Sequence, residues 1–235
     1  MTAVDIFIHN RIHYVQIVQD HKDEMDRNIV TKIMDYNLFC QAKDIREQLS
    51  PVASAIDICQ KDKTGLALAC DTWIGLLENP ALEPHHSKVL KRFNEAILPC
   101  HLVAYLLHPT YRGSRLTQEQ REVAYQWLTA KDPEYLSAAI AFDTKSAPYP
   151  ATFFNATSLP PAIWWKGLQH VQLPQGFVDT MVALHVACAS SASIERVFST
   201  FGIVHSKLRN RLGTDTASKL VFCYRMLRGK HELDY

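Results

Sequence analysis

Apolar residues recur through the first 143 positions at three- and four-residue spacing, the period of a helix with one face in a core. Val4, Ile8, Ile12 and Val15 form one stripe, Met25, Ile29 and Ile33 a second, and Leu38, Ala42, Ile45 and Leu49 a third. Ser50 followed by Pro51 predicts an N-cap with proline at the first helical position, opening a helix that turns Val52, Ile56 and Cys59 inward. Leu66, Cys70, Trp73 and Leu77 mark the next helix, ended by Asn79-Pro80. One long helix is predicted through Leu90, Phe93, Ile97, Cys100, Ala104 and Leu107, bent at Pro99. Thr117-Gln118-Glu119-Gln120 has the form of a capping box ahead of Val123 and Trp127, and Asp132-Pro133 opens a helix carrying Leu136 and Ile140.

The pattern breaks between Asp143 and Pro161, where four prolines and no helical period predict a loop joining two parts. Beyond it, Trp164-Trp165 lies in a short apolar stretch, and Val178, Met181, Val182 and His185 share a side of the following segment. A helix from about Ala192 to His205 would gather Ile194, Val197, Phe198, Phe201 and Val204 on one side, with Glu195, Ser199, Gly202 and Ser206 on another. Thr214-Asp215 caps a last helix whose stripe is Ala217, Leu220, Val221, Tyr224 and Leu227. The expected fold class is mostly α: a helical region over 1–143, a linker over 144–161 and a helical region over 162–235. With 235 residues and 47% apolar content the chain can bury a core in one or two domains, and eight glycines are few enough to favour helices over a turn-rich β fold. Six cysteines without a Cys-x-x-Cys pair, and no signal peptide, predict a reduced intracellular protein. No apolar run approaches the roughly 20 residues of a membrane span.

The densest motif is Ser190-Ser191-Ala192-Ser193-Ile194-Glu195-Arg196-Val197-Phe198-Ser199, followed by Gly202 and Arg209-Asn210-Arg211-Leu212. A serine/alanine run, Glu-Arg-x-Phe-Ser, a later glycine, Arg-Asn-x-Leu and a capped terminal helix resemble the C-terminal dimerisation region of hAT-superfamily DNA transposases and of host proteins derived from them. Leu107-His108-Pro109-Thr110-Tyr111-Arg112-Gly113 is similar to that family's Leu-x-Pro-x-Tyr-x-Gly segment, with His108 where members often carry Asp, and Trp164-Trp165 matches a family tryptophan. The resemblance implies that 162–235 is the dimerisation region and the helical remnant of a ribonuclease-H-like core, and that 1–143 is a helical insertion-like region. It also implies a nuclear protein whose partner is a second copy or a related hAT protein.

In the family, three carboxylates hold two divalent metals, and the third of them falls on Glu195. The first two lie on upstream strands for which this sequence has no β pattern, and no zinc finger precedes the helices. The expectation is a catalytically incomplete protein, not an enzyme, with no cofactor. The alternative is the C-terminal fragment of a DNA-binding, metal-dependent transposase that supplies this third carboxylate. Asp71-Thr72-Trp73 has the look of a catalytic Asp-x-Trp, but its apolar neighbours fit a helix. His9 with His13, and His85 with His86, lack the cysteine or carboxylate companions of a zinc site. For Glu195 the competing reading is a carboxylate favoured by the helix N-terminus and paired with a basic neighbour.

Residues 195–230 hold eight Lys or Arg against two Asp or Glu, an excess of +6 in a chain of net +1. Lys207, Arg209 and Arg211 are the candidate phosphate contacts, and they predict at most weak, sequence-independent DNA binding. A solvated basic face accounts for the same cluster. On the last helix Phe222, Cys223 and Met226 add apolar surface beyond the one stripe that docking on its own domain requires. They are the candidate dimer interface, with Leu220, Val221 and Tyr224 holding the helix to its own subunit; deeper burial against Trp164-Trp165 is the alternative.

Overall fold

The computed structural model describes residues 3–204 and 213–231. Every regular element among them is helical: α1 (Ala3–His21), α2 (Arg27–Met34), α3 (Tyr36–Cys59), α4 (Leu66–Leu77), α5 (His86–Ala96), α6 (Pro99–Leu106), α7 (Gln118–Lys131), α8 (Glu134–Asp143), α9 (Pro161–Lys166), α10 (Phe177–Val186), α11 (Ala192–Val204) and α12 (Thr214–His231), with 3-10 turns at Pro80–His85 and Ala151–Asn155. The protein is mostly α, and among the described residues the one β-type pairing is an isolated bridge between Gly65 and Cys188. Two compact units result, Met1–Asp57 with Asp71–Leu98, and Ile58–Cys70 with Pro99–Tyr235.

In the first unit Ala55, Leu76 and Leu82 form a buried cluster with Val52, Trp73 and Val89 packed on it. The Asp26 side chain accepts from the Asn28 N–H at 2.7 Å and so fixes the start of α2. Asn79 does the same for the Pro80–His85 turn, accepting from Ala81 at 3.0 Å. The predicted helix start at Ser50-Pro51 is not there: Pro51 lies inside the continuous α3. Proline removes one backbone bond, to the carbonyl of Glu47, and Val52 and Ala55 just beyond it pack in the cluster. Pro99 has the opposite outcome. The chain leaves the helix at Ile97, with φ −91° and ψ 104°, and Pro99 opens α6, so the predicted long bent helix is two helices. The clash of a proline ring with the preceding residue favours extended backbone there, and the boundary between the units falls at the same place.

The second unit is centred on α6, whose residues from His101 to Leu107 are all buried. It packs against α7 and α10, and α9 packs against α10. The predicted capping box is present, Gln120 N–H donating to Thr117 Oγ1 at 3.2 Å and Thr117 N–H to Gln120 Oε1 at 3.0 Å. On α8 the buried residues are Tyr135, Ala138, Ala139 and Phe142, whereas Ile140 is exposed. The inward stripe is therefore aromatic and alanine rather than the Leu136 and Ile140 predicted. The proline-rich segment lies inside the second unit and is packed: buried Tyr149 donates its hydroxyl to the Ala138 carbonyl at 3.0 Å. Phe142, Tyr149, Phe154, Trp164, Trp165 and Phe177 form one aromatic cluster with the contacting ring centroids 5.1–6.2 Å apart. Each indole N–H finds a carbonyl, Trp164 on Phe153 at 2.7 Å and Trp165 on Leu107 at 3.1 Å, so both rings are buried with their polar atoms satisfied.

Candidate functional site

The turn after α6 sets the platform from which the last helices are hung. Gly113 has φ +62°, and a Cβ there would stand 2.7 Å from Leu106 Cδ1, so only glycine fits. Its N–H donates to the Tyr105 carbonyl at 3.1 Å, and its carbonyl accepts from Arg121 at 2.7 Å. Arg121 also reaches Asp143 Oδ2 at 3.2 Å, and Arg112 donates to the Asp143 carbonyl at 3.0 Å, tying the turn to the end of α8. His108 Nδ1 accepts from the N–H groups of Thr110 at 3.1 Å and Tyr111 at 3.3 Å. This is an acceptor role that a carboxylate would also fill. His185, from α10, meets the His108 ring edge-on at a centroid distance of 5.5 Å. Burial pushes the His185 imidazole down to about 4, and a hydrogen bond to the Leu107 backbone opposes that shift.

From α10 the chain passes through the Gly65–Cys188 bridge, where Ala189 N–H donates to the Thr64 carbonyl at 2.9 Å, and enters α11. The serine run starts this helix: Ser190 Oγ accepts from the Ala192 N–H at 3.2 Å, and the Ser191 carbonyl accepts from Glu195 at 3.0 Å. Ser191 Oγ donates to Glu195 Oε1 at 2.8 Å, leaving the carboxylate at the positive end of the helix. Arg196 turns the other way, donating to the Gln60 carbonyl at 2.7 Å and pairing with Asp62. Glu195 and Arg196 are adjacent in sequence but serve separate partners. Among the described residues no three His, Cys, Asp or Glu side chains gather as a metal site, and Ser191 Oγ is the donor on one Glu195 oxygen.

Helices α11 and α12 pack on each other. Ala217 and Val221, one turn apart on α12, are buried against Val197 of α11. The other large apolar side chains described on this pair stay open: Phe198 is 71% exposed, Phe222 65%, Ile194 58%, Met226 53% and Leu220 41%. Cys223 is exposed as well. The structure therefore sets Phe222, Cys223 and Met226 on the surface of one subunit. It corrects the role given to Leu220, which is displaced about 100° around the helix from buried Val221 and does not reach α11's inward face. Ile194 and Phe198 were grouped with Val197 by sequence; only Val197 is packed inward, and this second exposed i,i+4 pair was missed because periodicity gives a face and not what covers it. The side chains of Tyr224 and Leu227 are outside the described part, and the candidate phosphate contacts Lys207, Arg209 and Arg211 lie outside the described residues. No described helix is long and apolar enough to cross a membrane.

Residues 134–227 match the family profile of the hAT family C-terminal dimerisation region. The match begins at Glu134, the first residue of α8, and so takes in the aromatic cluster as well as α11 and α12. No curated protein gives a significant match to the sequence.

Proposed function

We propose that this chain, which carries a hAT C-terminal dimerisation region, is a transposase-derived protein that acts by self-association or by pairing with a related hAT protein, without catalysing DNA cleavage. The observation that carries the reading is the α11/α12 pair. Two helices hold each other through Ala217, Val221 and Val197 while Phe222 and Met226, one turn apart, remain uncovered inside a region whose family pairs subunits. An exposed apolar face of this kind marks a protein contact. Helices upstream of the region serve as an insertion on a ribonuclease-H-like ancestor, Glu195 keeps the position of the third carboxylate without its companions, and the protein works in the nucleus with no metal or cofactor of its own.

Replacing both Phe222 and Met226 by Glu tests the reading. Two unpaired charges at an interface core must be desolvated, which opposes association strongly, whereas on the free subunit both sites face water. The expected result is a monomer with unchanged helical circular dichroism; a double variant that stays dimeric, or that loses its helices, contradicts it. DNA contact through the basic segment is expected to be weak and to fall steeply with salt. Nanomolar, sequence-selective binding in an anisotropy salt series, or cleavage abolished by Glu195→Gln, would favour the alternative of a transposase fragment.

A further inference from the structure

Gly202 sits inside α11, and no described residue gives a reason for it within the chain. Its φ is an ordinary helical one, it is exposed, and among the described residues nothing lies within 4 Å of a Cβ built on it. Gly113 and Gly176 differ, since both have positive φ. A glycine in a helix interior destabilises the helix relative to alanine, and the usual return is close approach of another backbone. Gly202 is one turn from Phe198 and two from Ile194, so the three form a single i±4 ridge: large, large, absent. Both charges at the head of the helix are occupied elsewhere, Glu195 with Ser191 and Arg196 with Asp62 and Gln60. Nothing charged from those two residues competes for the ridge, and Val197 fixes which side of α11 faces α12.

Resting on the self-association proposed above, we infer that α11 is the helix that crosses its own copy, with Phe198 of each subunit seated in the gap left by Gly202 of the other. The ridge is complementary to itself. A two-fold axis passing midway between residues 198 and 202 brings Phe198 opposite the partner's Gly202 and Gly202 opposite the partner's Phe198, as an isologous contact requires. Interdigitated i±4 ridges are the commonest way for helices to cross, and a missing side chain at the crossing lets the axes close to the short end of the usual 8–10 Å. The occupant is a second copy because the ridge lies within residues that match a dimerisation region, and its two large side chains, Ile194 and Phe198, are exposed on the single chain.

The test is the dimer dissociation constant of the full chain, by sedimentation across a dilution series, for wild type, Gly202→Leu, and Gly202→Leu with Phe198→Ala. A leucine at 202 fills the gap, and its Cβ meets no described residue of its own subunit, so Gly202→Leu should keep its helical signal and weaken the dimer by about tenfold or more. Adding Phe198→Ala to it removes the side chain that the leucine displaces and should recover part of the loss, which a purely structural role for Phe198 would not produce. If Gly202→Leu dimerises as tightly as wild type, or unfolds, or is made weaker still by Phe198→Ala, the crossing is wrong. A wild-type dimer broken by the Phe222 and Met226 charges but indifferent to Gly202→Leu overturns the crossing and leaves the self-association in place. A monomeric wild type overturns both.

Discussion

Two histidines carry the residue-scale logic of the platform below the last helices. His108 accepts two backbone N–H groups at the turn that Gly113 closes, so removing the ring leaves two donors without their partner. His108→Ala should lower unfolding stability by about 1–3 kcal/mol, and His108→Asp, which keeps an acceptor at the same place, should lose clearly less. Equal losses in urea unfolding would show that the ring's contact with Tyr111, and not its acceptor nitrogen, holds the turn. His185 gives a pH dependence with a definite sign. Burial lowers it from 6.5 to about 4 in the folded chain, so between those values the unfolded chain binds more protons. Its contribution is full above about pH 6.5 and is lost as the pH falls towards 4, by up to about 3 kcal/mol. The stability difference between pH 7 and pH 4.5 should therefore shrink in His185→Gln; an unchanged difference contradicts the assignment.

At the scale of elements, the helix signals that rest on local chemistry were legible and those that rest on what lies opposite were not. The capping box at Thr117, the stop at Asn79-Pro80 and the serine start of α11 depend on neighbours within four residues, and sequence shows those neighbours. Pro51 and Pro99 are the same residue type with opposite outcomes: one lies inside α3, just ahead of Val52 and Ala55 of the first unit's cluster, and the other where the chain passes from one unit to the next. On α8 the choice between Leu136 with Ile140 and Tyr135 with Phe142 is settled by Trp164 and Trp165, which offer an aromatic surface that no period reveals. On α12 the inward residues are Ala217 and Val221, so Val221→Glu buries an unpaired charge against Val197 and should lower stability by about 3 kcal/mol or more. Leu220→Glu, at an exposed site, should cost under about 1 kcal/mol. Denaturant curves on the two variants decide between the faces, and a larger loss for Leu220→Glu would restore the face expected from sequence.

For the molecule as a whole, residue pattern gave the helical class, and the motif at Ser190–Leu212 gave the dimerisation region that the family profile covers from 134 to 227. Half of the candidate surface was legible: Phe222, Cys223 and Met226 exceed what one stripe needs, and that excess is visible in a helical wheel. Ile194, Phe198 and the empty place at Gly202 were not, since they share a side with Val197 and only the packing of α12 separates them. Ile194, Phe198, Phe222 and Met226, exposed on the single chain, are the surface that the proposed pairing covers. Light scattering on the wild-type chain, diluted from tens of micromolar downward, measures this directly. The account predicts a mass near twice 26.7 kDa at the upper end that falls towards the single-chain value on dilution; a single-chain mass at every concentration would contradict it.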